Sequence, residues 1–132
     1  EARNKQKSAL IMVVDDDEST CTSLMNILTR KGYQVSIAHT GEEAIAKVRG
    51  TMHDIIFIDI KLPTINGLET YLSIKEIDPS VVAIMITAFR QEMSDLVEEA
   101  IRNHAYTCLY KPIEISSLLQ IIEEICERKK LN

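Results

Sequence analysis

Five short apolar runs, spaced along the chain with helical patterns between them, constrain this sequence more than any other feature. They are LIMVV at 10–14, QVSIA at 34–38, DIIFIDI at 54–60, VVAIMIT at 81–87 and YTCLY at 106–110. The first, third and fourth are apolar without alternation, as strands covered on both faces are. The second and fifth alternate, as partly exposed edge strands do. Strands that alternate with single helices require right-handed crossovers and helices on both faces of a parallel sheet. The fold class that follows is α/β, a three-layer sandwich of five βα units.

The intervening patterns locate the helices. Cys21, Leu24, Met25 and Leu28 share one helical face that stops at Lys31-Gly32. Thr40 with Glu43 reads as a capping box opening a second helix through Ala44, Ile45 and Val48. A third begins near Gly67, carries Leu68 and Leu72, and ends before Asp78-Pro79. Val97, Ala100 and Ile101 mark a fourth, and Ile115, Leu118, Leu119, Ile122, Ile125 and Cys126 a fifth whose ERKK end suits the helix dipole.

A chain of 132 residues fits one domain, and no apolar run reaches the length of a membrane span. EARNKQKS is too polar to open a signal peptide, so a cytoplasmic protein is expected. A net charge of −5 argues against direct binding of nucleic acid. Cys21, Cys108 and Cys126 lack metal or disulfide spacing and read as small buried hydrophobes. His39 and His53 read as solvated loop residues, and the methionines at 12, 25, 52, 85 and 93 mostly as core packing.

In a parallel sheet the C-terminal tips of all strands meet along one edge. Asp15 and Asp16 follow the first run, Asp59 lies near the end of the third, Thr87 ends the fourth and Lys111 follows the fifth. Three carboxylates in one small space disfavour full ionisation unless a cation sits among them. Oxygen ligands select a hard ion such as Mg²⁺, while a hydroxyl and an ammonium suit an anion. A carboxylate nucleophile among such groups suits phosphoryl transfer.

VVDDDES, then FIDIKLPTINGLE, ITA and LYKP, in this order and spacing, closely resemble the receiver domain of two-component response regulators, from about Leu10 to Lys130. Pro63 and Gly67 stand at the expected offsets after Asp59. The resemblance implies a flavodoxin-like sheet of order 2-1-3-4-5, with a receiver domain over 8–130 and a polar tail over 1–7. It implies that Asp59 is the phosphoacceptor for a histidine kinase or phosphotransfer protein, and that the chain catalyses only its own phosphorylation and dephosphorylation. Asp16, Asp59 and the backbone carbonyl of Lys61 would hold Mg²⁺, with Asp15 acting through or beside a bound water. Lys111 would pair with phosphoryl oxygens, the Thr87 hydroxyl would move toward them, and the Ala88 amide would help. Pro112 matches a proline often preceded by a cis bond. Asp17 matches no ligand and reads as an acid at a helix start. A homodimer through the fourth helix, fifth strand and fifth helix is one partner arrangement the family allows.

The sequence also departs from the family. The switch aromatic, three residues before the lysine, is Cys108 here; Tyr106 and Tyr110 share its side of the strand by alternation, and either could stand in for it. His104 replaces a usual glycine and reads as a surface loop residue. Lys61 and Phe89, two after Asp59 and two after Thr87, would hinder water and lengthen the life of a phosphoform. Two other readings stay open: a receiver-like interaction module that takes no phosphate, and a phosphatase of the haloacid-dehalogenase type. In the latter, D-x-D-x-S would make Asp15 the nucleophile and Asp17 the acid-base, against the absence of a second acidic motif and a cap domain.

Overall fold

The computed structural model describes residues 8–88, 91 and 93–130. Its elements are β1 (Leu10–Val14), α1 (Glu18–Arg30), β2 (Gln34–Ala38), α2 (Gly41–Gly50), β3 (Ile55–Asp59), α3 (Gly67–Ile77), β4 (Val82–Thr87), α4 (Ser94–Arg102), β5 (Thr107–Tyr110) and α5 (Ile115–Lys129). All strand pairs are parallel and the order is β2-β1-β3-β4-β5. The two alternating runs are indeed the edges, and the uniformly apolar ones the centre.

Period-two alternation sorts each central strand between two cores. Ile11 and Val13, Ile55 and Phe57, and Ile84 and Ile86 pack with Leu24 and Leu28 of α1 and Leu118, Ile122 and Ile125 of α5. Met12 and Val14, Ile56 and Ile58, and Ala83 and Met85 pack with Ala44 and Val48 of α2, Tyr71 and Ile74 of α3 and Ala100 of α4. This is the three-layer sandwich, with α1 and α5 on one face and the other three helices opposite.

The helix ends follow local chemistry, with one correction. Asp17 caps α1, accepting from the Ser19 amide, and Gly32 takes φ +97° just beyond its end, where a side chain would be strained. At α2 the Thr40 hydroxyl accepts from the Glu43 amide, but the Glu43 carboxylate reaches past Thr40 to the His39 amide, so the expected reciprocal box is only half formed. The full box occurs at α3, between Asn66 and Glu69. After α4 the exposed His104 adopts φ +75°, the conformation for which glycine is usual, as the turn returns the chain to β5. Two donors from α3, the Tyr71 hydroxyl (2.7 Å) and Lys75 Nζ (2.5 Å), meet the Asn103 carbonyl and fix that end of α4.

Three further expectations change. His53, in the α2–β3 connection, is only 5 % exposed, with Nδ1 2.9 Å from the Thr51 carbonyl. Met52 beside it is 73 % exposed and belongs to neither core, and Ile101 points outward from α4.

Candidate functional site

The rim at the C-terminal ends of the strands carries the polar residues, and the sheet's own ladder places them. Asp15 continues the β1–β2 ladder one step, its amide donating to the Ala38 carbonyl at 3.1 Å. Asp59 is the last residue of β3. Lys111 continues the β4–β5 ladder, its amide donating to the Thr87 carbonyl at 2.9 Å, and the Lys111–Pro112 peptide is cis, as the resemblance implied. The first residue of α3 lies directly against the strand end. Gly67 donates to the Ile60 carbonyl, and a Cβ there would overlap the Asp59 carbonyl oxygen.

Lys111 organises the centre. Its Nζ lies 2.7 Å from Asp59 Oδ2 and 2.9 Å from Asp15 Oδ2, and both carboxylates are almost wholly buried. Their second oxygens accept backbone amides, Lys61 to Asp59 (2.9 Å) and Asp17 to Asp15 (2.9 Å). Burial alone would lower the Lys111 pKa, but hydrogen bonds to Asp59 and Asp15 outweigh it and hold the ammonium charged well above the usual lysine range. Burial raises the Asp59 pKa, and the neighbouring Asp15 charge adds to that against the opposing Lys111 and Lys61 bonds. Two buried acids share one ammonium, so one negative charge is left over.

Asp16 adds another. It is exposed, and with Asp59, Lys61, Leu62, Pro63, Ala88 and Lys111 it lines an open pocket of about 340 Å³. One oxygen each from Asp15, Asp16 and Asp59 lie within 4.8 Å of one another. An all-oxygen donor set with surplus negative charge, open on the Asp16 side, fits a hard divalent cation such as Mg²⁺.

A family model described as the response regulator receiver domain matches residues 11–123. The chain belongs to the response regulator receiver family. It is 34 % identical over 122 residues, 92 % of its length, to the transcriptional regulatory protein ZraR of Klebsiella oxytoca, and covers 27 % of that protein. The chain thus spans about a quarter of the length of the first curated relatives it matches. A CheY-like receiver domain protein from Methanospirillum hungatei superposes with a TM-score of 0.83 at 32 % identity, covering 93 % of this chain and 98 % of that one. A Burkholderia pseudomallei response regulator, solved with a phosphorylated aspartic acid, calcium ion and citrate, gives 0.78 at 25 % identity, over 85 % and 65 %. This is a signalling family of two-component systems, and no helix among the described residues is long and apolar enough to cross a membrane.

Against this receiver fold, the expected residues divide. Asp15, Asp16, Asp59 and Lys111 come together, and the exposed Ala88 lines the same pocket. Thr87 is fully buried at the tip of β4 and does not line the pocket. Phe89 lies outside the described residues. Cys108 is half-buried against the α2–α4 core, and burial pushes its thiol up to about 11, so it is an inert filler. Tyr106 does not share its side. Alternation slips before Thr107, where β5 begins, and Tyr106 packs toward α5, its hydroxyl donating to Glu124 at 3.1 Å. Tyr110 is at the exposed strand end.

The residues overlooked in the sequence are His39 and Cys21. His39 is half-buried rather than solvated, with Nδ1 3.2 Å from the Asp15 carbonyl oxygen, which also accepts from the Cys21 thiol at 3.3 Å. Burial, reinforced by the Asp15 charge, pushes that thiol up to about 11, so it keeps its proton. The signal was available: His39 is one residue past the tip of β2, on the same rim as the acids.

Proposed function

We propose that Asp59 is the phosphoacceptor of this receiver, taking a phosphoryl group from a phosphohistidine of a histidine kinase or phosphotransfer protein. A carboxylate oxygen of Asp59 would form the new O–P bond as the N–P bond of the donor breaks and the imidazole keeps the electron pair. Lys111 is already bonded to Asp59 and can exchange a carboxylate for a phosphoryl oxygen without leaving the site. The Thr87 hydroxyl and Ala88 amide, at the tip of β4, would then take the remaining oxygens. Asp16 and Asp59, with the Lys61 carbonyl and Asp15 beside them, would hold Mg²⁺, which when bound neutralises the charge of acids and phosphoryl group together. The receiver unit would extend over 8–130 and work in the cytoplasm.

One observation carries this reading: a single ammonium bridges two buried carboxylates while a third faces an open pocket. The test is incubation with acetyl phosphate or phosphoramidate, with and without Mg²⁺. A metal-dependent mass gain of one phosphoryl group, lost in Asp59→Asn, supports it. Labelling lost in Asp15→Ala but kept in Asp59→Asn, with phosphate turnover, would instead make the chain a phosphatase. No labelling of the native chain would leave an interaction module.

A further inference from the structure

Asp16 is the least supported of the three acids. Its carboxylate lines the pocket and takes no hydrogen bond or ion pair from any described residue, so among these only the backbone that carries it constrains where it sits. The nearest determinant is the planar Asp15–Asp16 peptide. Its oxygen is the Asp15 carbonyl, gripped by the Cys21 thiol and by His39 Nδ1. A carbonyl oxygen only accepts, so for this bond Nδ1 must carry the ring proton, and an imidazole N–H is a far better donor than a thiol. His39 is itself held, because its amide donates to Glu43 Oε1 at 2.8 Å in the first turn of α2. The Asp15 carboxylate is fixed separately, by the Asp17 amide and Lys111. The distinctive effect of His39 therefore falls on the peptide that aims Asp16.

We propose that His39 is a positioning residue for Asp16, orienting the Asp15–Asp16 peptide from outside the pocket and thereby setting affinity for the divalent cation. This rests on the reading of the acid pocket as a cation site. Removing such a supporting donor typically weakens metal binding by a factor of ten or more. Asparagine, whose side-chain amide donates from nearly the same place as Nδ1, replaces the bond without the ring.

The experiment is titration with Mn²⁺, followed by the loss of its free paramagnetic signal, on the native chain, His39→Ala, His39→Asn and Asp16→Asn. The expected result is roughly tenfold weaker binding in His39→Ala, most of it regained in His39→Asn, and binding weakened at least as far in Asp16→Asn. A merely structural role would lower the thermal midpoint of His39→Ala and leave its affinity alone, which overturns the proposal, as does His39→Asn binding no better than His39→Ala. Native-like affinity in Asp16→Asn, or no binding by the native chain, overturns the cation site itself and this inference with it.

Discussion

The two rims of the sheet use the same kinds of residue to opposite ends. At the N-terminal rim, most polar groups close on the backbone, although Asp78 Oδ2 is buried without a partner among the described residues. Asp54 accepts the Leu10 amide, Lys129 Nζ donates to the Asp54 and Ser80 carbonyls, and Asp78 accepts from the Ser80 amide and hydroxyl. At the C-terminal rim, charged side chains meet each other, with one ammonium for two buried acids and a third acid facing an open pocket. The first arrangement secures strand starts to helix ends. The second leaves charge for something outside the chain to complete, which is how a functional site differs from a structural one built of similar parts.

The sharpest way to break the comparison is Gly67→Ala. A methyl group there meets the Asp59 carbonyl, and forcing α3 off the strand end should cost about 3 kcal/mol in urea unfolding and disable the functional rim with it. Lys129→Met, at the other rim, should lose about 1 kcal/mol by the same measurement yet leave labelling of Asp59 intact.

Asp59→Asn tests the surplus charge in the opposite direction. The native Asp59 pKa lies above its ordinary value of 3.8, so the folded chain binds that proton more tightly than the unfolded chain does. Its contribution to stability is therefore greatest in acid and declines as pH rises through the native value, leaving a cost at neutral pH. Removing the charge should raise stability at pH 7 by up to about 1 kcal/mol, and Mg²⁺ should raise the thermal midpoint of the native chain but not of the variant.

The smallest effect belongs to His53. Burial, its largest cause, holds the His53 pKa below 6.5, against the Thr51 carbonyl and the Asp54 and Asp78 charges, with Lys47 adding to the lowering. The unfolded chain takes up this proton first, so the stabilising contribution is full above about pH 6.5 and is lost as pH falls through the lower native value. Stability of His53→Gln should fall less steeply than that of the native chain between pH 7 and 5.5. An identical slope would show that the N-terminal rim is closed without regard to this ring.

Much of this molecule was legible because its patterns are local. A period of two marks β2 and β5 as edges and the three apolar strands as centre, and the rim rule brings Asp15, Asp16, Asp59 and Lys111 together from the sequence alone. The family resemblance supplied strand order and roles that periodicity could not. Reading failed where a pattern began before its element did, or where a side chain had a second amide within reach. The alternating run YTCLY puts Tyr106 on the face of Cys108, yet the strand starts at Thr107 and the phase breaks there. The spacing pairs Glu43 with Thr40, but its carboxylate accepts the next amide upstream, that of His39.

The chain's own order of residues determined which segments are strands, which helix faces are apolar and which polar groups stand at strand tips, since these depend on neighbours a few positions apart. Only the folded molecule decided that Lys111 bridges two acids, that His39 grips the Asp15 carbonyl and that His53 is buried. The first two join residues far apart in sequence, and the third depends on how the loop around His53 packs. A hydrogen bond is made or missed within a fraction of an ångström, and that distance is set by how layers pack, which no local pattern records.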